Sequence, residues 1–194
     1  EIIRQWSTFH PEFSFLPRKF KIAVTGSAED RAAIRVHDIG LRIHRNEAGE
    51  VGFEVMVGGG QGRTPMIAKT IRAFLPKAHL LSYLEAILRV YNLMGRRDNK
   101  YKARIKILVH EMGAEAFADQ VEAEWAEIKD GPVDLPASEV ARIENYFAPP
   151  ALDTASNGSA DYALKLKSDA AFAAWVGSNV LGHVQPGYAI ANIS

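Results

Sequence analysis

Three short runs of the chain carry residue types that do chemistry. The first is Arg18-Lys19-Phe20-Lys21, in which an extended backbone sets Lys19 and Lys21 on one face and Phe20 on the other. Two neighbouring ammonium groups repel each other unless an anion lies between them. The pair therefore reads either as a solvated strand face or as an anion cradle whose lysines can also deliver protons. The second run is Gly58-Gly59-Gly60-Gln61-Gly62. Such glycines let backbone N–H groups approach an anion closely, and they also serve as plain turns. It is neither a phosphate-binding P-loop, since Val57 and Arg63 stand where that motif needs glycine and lysine, nor a dinucleotide fingerprint, since Arg63 replaces the third glycine.

The third run, Gly95 to Lys106, holds six basic residues and one acid, whereas Glu111 to Glu127 holds six acids and no lysine or arginine. A basic helix start opposes the helix dipole. This points either to a bound anion or to ion pairs with the acidic stretch. The six histidines are scattered without the i, i+4 spacing of a zinc site, and no Gly-x-Ser-x-Gly elbow occurs, so no metal ligands are assigned.

These runs need elements to hold them. The chain has 194 residues, 47% hydrophobic and 24% charged, which are values for a folded domain rather than a disordered or fibrous one. No apolar run reaches membrane-spanning length. The 23 basic and 23 acidic side chains cancel, so anion recognition must be local and neither nucleic acid nor membrane is an expected partner. There is no cysteine, which excludes disulfides and thiolate ligands within these residues and fits a cytoplasmic setting. The chain opens on Glu-Ile-Ile-Arg and reads as a piece of a longer polypeptide.

Alternation predicts a strand through Phe20, Ile22 and Val24, then a hairpin of Asp38 to Arg45 and Val51 to Val57. Leu80, Leu84, Ile87, Tyr91 and Met94 predict a helix over 78–94 with a left-handed cap at Gly95. Further helices are expected over 100–112, 114–128 and 138–146. Beyond a small polar stretch at 153–161, a strand over 162–167, a helix over 169–179 and a strand over 187–193 are expected. Strands followed by helices make the class α+β, a mixed or antiparallel sheet packed with helices.

Taken together, Leu16-Pro17-Arg18-Lys19-Phe20-Lys21, Val57-Gly58-Gly59-Gly60, and Tyr91 with Gly95-Arg96-Arg97-Asp98-Asn99-Lys100 and Lys102-Ala103-Arg104 resemble the nitrite and sulfite reductase family of sirohaem and iron–sulfur enzymes. Phe172, Trp175, Asn179-Val180, His183 and Gln185-Pro186-Gly187-Tyr188 resemble the opening of that family's ferredoxin-like half-domain. The resemblance implies a lead-in at 1–14, expected to be extended, a sirohaem-contacting domain at 15–130, a linker with a short helix at 131–152, and the start of a truncated half-domain at 153–194. It implies sirohaem and a 4Fe-4S cluster in the full-length protein, the cluster ligands lying in a second sirohaem-contacting domain, and neither cofactor held stably by this inactive piece.

The implied activity is six-electron reduction of sulfite to sulfide, or of nitrite to ammonia, with ferredoxin or a flavoprotein reductase as donor. Lys19 and Lys21 match the family's catalytic lysine pair. Arg18, Gly58, Gly59, Gly60, Arg97, Asn99 and Arg104 are the implied cofactor contacts. Nitrite-reducing plant-type members commonly carry asparagine at the position of Lys21, so lysine here implies sulfite. The competing readings are a non-enzymatic anion-binding module and a nucleic-acid-binding domain using 96–106, where only Tyr101 is available for stacking.

Overall fold

A computed structural model describes residues 1–152 and 160–193. They divide into two compact units, Glu1–Phe147 and Ala148–Ser194. The first unit is a mixed four-stranded sheet with helices packed on it, in strand order β1-β2-β3-β4. β1 (Ile22–Thr25) runs parallel to β2 (Ile39–Arg45), while β3 (Val51–Val57) and β4 (Lys69–Pro76) are antiparallel to their neighbours. The class is α+β. The expected hairpin is β2–β3, in register from Ile39↔Val57 to Arg45↔Val51 and closed by an Asn46 turn whose side-chain oxygen accepts the Glu50 N–H at 2.9 Å.

β4 is a strand that the periodicity did not disclose. Its pairing with β3 shifts register around Val55, and its core side includes Arg72, whose guanidinium lies 4.6 Å from the Trp125 ring centre. A charge on the buried side breaks the alternation that identifies strands.

α2 (Leu80–Met94) is the central helix, with Tyr83, Leu84, Ile87 and Tyr91 fully buried. Gly95 ends it with φ −66° and ψ 142°, so the left-handed cap does not form. Glycine is required there for close approach, because a Cβ would come within 2.7 Å of Pro17. α3 (Ile105–Met112) starts later than expected. Residues 100–102 turn instead, and the helix begins only after Arg104, which is extended at ψ 148°. α4 (Ala114–Ile128) follows the break at Gly113 and buries Phe117, Val121 and Trp125 in the same core as α2 and the sheet.

The lead-in is not extended. α1 (Ile2–Ser7) and a single 3-10 turn at Phe13–Phe15 pack Ile2, Ile3, Trp6 and Phe13 against the core, and His10 hydrogen bonds to the buried Glu85 of α2 at 3.0 Å. Aromatic residues on a short segment find more burial as a helical turn than as a flat strand without a partner. α5 (Ala137–Tyr146) lies within this unit, and the preceding segment is fastened to it by the Leu135 N–H on the Ala78 carbonyl at 2.9 Å.

In the second unit, α6 (Ala160–Ser168) replaces the strand expected over 162–167. The Tyr-Ala-Leu-Lys-Leu-Lys alternation consists of good helix formers, and Lys165 reaches Asp169 at 3.1 Å in an i, i+4 pair. α7 (Ala170–Asn179) is capped by Asp169, which accepts the Phe172 N–H at 2.9 Å. β5 (Val180–Gly182) and β6 (Ala189–Ala191) form an antiparallel ribbon, the latter shorter than the expected 187–193 strand. The expected loop at 153–161 lies mostly outside the described residues. Among the described residues of this unit none is buried.

Candidate functional site

The segment carrying the lysine pair precedes β1, which begins at Ile22 rather than at the expected Phe20, and runs beside the start of β2. The Lys21 N–H donates to Asp38 Oδ2 at 2.9 Å, and the Lys21 carbonyl accepts the Ile39 N–H at 3.1 Å. Phe20 points the other way and meets the Phe13 ring edge-on at 5.6 Å. Lys19 and Lys21 are both exposed, with their side chains close enough to act on each other. The neighbouring Lys21 side chain is the main reason the Lys19 ammonium lies below the usual lysine range; Arg104 pushes the same way and Asp38 opposes.

Arg104 arrives from the turn before α3. Its Nε and Nη2 donate to Asp38 Oδ1 at 2.9 and 2.7 Å, and Nη2 also reaches Oδ2 at 2.6 Å. Asp38 itself has no exposed surface. Arg18 donates from Nη1 to the Lys100 carbonyl, and its own carbonyl accepts the Tyr91 hydroxyl at 3.1 Å. The same hydroxyl donates to the Ala103 carbonyl at 2.7 Å, and burial pushes the Tyr91 pKa up to about 12.

The glycine run lies behind this surface. Gly58, with φ +91°, has its Cα against Val109 of α3, and its N–H donates to the Asp38 carbonyl at 3.0 Å. Gly59 packs against the carbonyls of Arg35 and His37, and Gly60 pairs with Met66 in both directions at 2.9 and 2.8 Å. Lys106, nearly buried, runs past Gly60 and donates from Nζ to the carbonyls of Gln61 and Thr64 at 3.0 and 2.5 Å. Burial, followed by the charge of Arg104, depresses its pKa.

Two adjoining cavities open on this arrangement and share Gln61, Gly62 and Arg104. One, of about 420 Å³, is flanked by Arg18, Arg63, Lys102 and Lys106; the other, of about 250 Å³, by Lys21 and His37. Neither is lined by an acidic side chain among the described residues.

The structure therefore brings Arg18, Lys19, Lys21 and Arg104 together, with Gly58, Gly59 and Gly60 packed beneath. Arg97 and Asn99 line neither cavity. Arg97 donates to the Phe15 carbonyl at 2.8 Å and to the Asn92 side chain at 2.6 Å, and Asn99 accepts the Tyr101 N–H at 3.0 Å. Lys102 and Lys106 belong to the basic run, and nothing in their spacing marks them as cavity residues. Asp38 gave no signal at all, because an acid at the head of a strand looks like any turn residue. The basic run makes one pair with the acidic stretch, Arg96 to Glu111 at 3.8 Å; Glu122 and Glu124 of α4 pair instead with Arg72 and Arg89.

His79, Asp130 and Asp134 cluster within reach of one ion. The Asp134 carboxylate already accepts from the Asp130 N–H at 2.8 Å and from Ser82, and is hydrogen bonded to His79 at 2.9 Å, so the cluster fastens a loop to α2.

Residues 1–129 match the family model described as the nitrite and sulphite reductase 4Fe-4S domain. The chain is 39% identical over 116 residues to a ferredoxin sulfite reductase of Synechococcus elongatus, covering 56% of this chain and 19% of that protein. It is 36% identical over 121 residues to an assimilatory ferredoxin-dependent nitrite reductase of Haloferax mediterranei, covering 60% of this chain and 21% of that protein. The solved structure of Mycobacterium tuberculosis NirA is similar over 70% of this chain and 24% of its own, at 28% identity and a TM-score of 0.58. The chain thus spans about a fifth to a quarter of the length of these relatives.

Proposed function

Because the chain belongs to the nitrite and sulphite reductase family, we propose that its cationic site holds the carboxylates of sirohaem and a small oxyanion substrate, in a protein that reduces sulfite by six electrons. The observation that carries this reading is the placing of Arg18, Lys21 and Arg104 on two cavities that no acidic side chain lines, with Lys19 beside Lys21, in a chain of zero formal net charge.

Sirohaem fits the donor set by charge. Its many carboxylates need several cations in one place, and Arg18, Arg63, Lys102 and Lys106 supply them around the larger cavity. When bound, such a group supplies the iron and the path for electrons. The chain's own residues then divide the work. Arginine forks and Lys102 orient carboxylates, while Lys19 and Lys21 hold substrate oxygens and release protons to them. The depressed Lys19 pKa makes it a readier proton donor than an ordinary lysine.

An iron–sulfur cluster does not fit these residues, because the chain has no cysteine. We assign the cluster, and electron entry from ferredoxin or a flavoprotein reductase, to parts of the protein outside this chain, in a cytoplasmic setting. The chain alone is then inactive and holds neither cofactor stably. In this reading Arg97 holds the Phe15 segment against the end of α2, Asn99 shapes the turn before Arg104, and the glycines let β3, α3 and the 35–37 segment meet. The 153–194 segment is read as the start of a ferredoxin-like half-domain; among its described residues none is buried.

Sulfite is preferred over nitrite on the strength of Lys21, with nitrite reduction the second reading, supported by the Haloferax relative. Reduction of both anions by the full-length protein, assayed with a strong chemical reductant alongside its absorption spectrum, tests this. No turnover of either anion, or no haem-type absorption, refutes the assignment.

A further inference from the structure

Asp38 gathers three segments that are distant in sequence. Its carboxylate accepts the Lys21 N–H at 2.9 Å and two nitrogens of Arg104, 66 positions away, while its carbonyl accepts the Gly58 N–H at 3.0 Å. A carboxylate with no exposed surface is strongly unfavourable unless it is paired and hydrogen bonded, and here the partner is a two-nitrogen guanidinium fork. The arrangement also has an electrostatic side. The groups that act on the Lys19 ammonium are Lys21 and Arg104, which are cations, and Asp38, the one anion among them.

We propose that Asp38 is the positioning residue of the cationic site: it fixes Arg104 and the Lys21 backbone in one arrangement and neutralises the arginine. The lysine pair, rather than the arginine, is thereby left as the unbalanced charge facing the substrate. This rests on the function proposed above and adds to it a residue that touches neither substrate nor cofactor.

The test uses the 194-residue chain and its Asp38→Asn and Asp38→Glu variants, followed by NMR at the lysine ε and arginine Nε positions. Asparagine keeps an oxygen for the Lys21 N–H but removes the charge. In the folded Asp38→Asn variant the Lys19 titration moves further down, and the Arg104 Nε–H exchanges on the order of tenfold faster or more. Asp38→Glu, which restores the charge, brings the Lys19 titration back up. A folded Asp38→Asn variant with unchanged Lys19 titration overturns the proposal and leaves a purely structural ion pair.

If Asp38→Asn does not fold, the wild-type chain decides. An Arg104 Nε–H protected relative to that of exposed Arg31 supports the arrangement, and one exchanging equally fast overturns it. Inorganic sulfite added to the wild-type chain separates the two claims. Absence of any response at the Lys19 and Lys21 ε signals counts against the proposed anion site while the Asp38 coupling stands on its own readout.

Discussion

The Tyr91 hydroxyl donates to the carbonyl oxygen of Ala103 at 2.7 Å, and the same hydroxyl lies 3.1 Å from the Arg18 carbonyl. One side chain of the central helix thus ties together the backbones on either side of the larger cavity. Arg18 and Arg104 emerge directly from those two backbones.

Tyr91→Phe removes this tie without changing the shape of the core. The variant is expected to lose about 1–2 kcal/mol, because the buried Ala103 carbonyl loses its donor. Urea denaturation of both proteins measures it, and an unchanged midpoint would show that the tie contributes nothing.

A pH effect follows from the same residue. The folded-state pKa of Tyr91 is raised to about 12 against an ordinary tyrosine value of 10.0, so the folded protein keeps a proton that the unfolded chain releases. The stability this contributes is complete below pH 10 and is lost as pH rises toward 12. Tyr83, raised by burial and by its bond to Glu122, acts in the same direction. Stability measured from pH 9 to 12 should fall less steeply in Tyr91→Phe than in the wild type.

Lys19→Met or Lys21→Met in the full-length enzyme is expected to lower turnover roughly 100-fold or more, the scale of general-acid and electrostatic assistance. Both residues are exposed, so sirohaem content and stability should change little. Near-normal steady-state turnover in both variants would make the pair an ordinary solvated face.

Lys21→Asn separates the two substrates. It keeps a polar group while removing a charge, and the ratio of sulfite to nitrite turnover should fall. An unchanged ratio removes Lys21 from the site and leaves Lys19 and Arg18.

Gly59→Ala tests the packing beneath the site. A Cβ there would lie 2.4 Å from the Arg35 carbonyl oxygen and 2.5 Å from that of His37, so backbone must move. A loss of about 1–3 kcal/mol is expected by thermal or denaturant unfolding. A variant as stable as the wild type would mean that the 35–37 segment yields freely.

Much of this molecule is legible in its residues because the signals are local. The β2–β3 hairpin follows from alternation around an Asn46 turn, and α2 and α4 from apolar spacing on a 3.6-residue period. The family follows from short motifs in a fixed order. Elements escaped where local pattern and burial part company. β4 carries Arg72 on its buried side, the alternating 162–167 segment folds as helix through its propensity, and the basic run delays α3.

The assembly of the site is another matter. The ties of Asp38 to Lys21 and Arg104, of Tyr91 to Arg18 and Ala103, and of Lys106 to the Gln61 and Thr64 carbonyls join positions separated by 12 to 73 residues. No periodicity connects such positions. A buried carboxylate and a buried ammonium are tolerated only where the fold brings their partners within hydrogen-bond distance, so which charges pair off and which remain free to meet an anion is decided by tertiary packing alone.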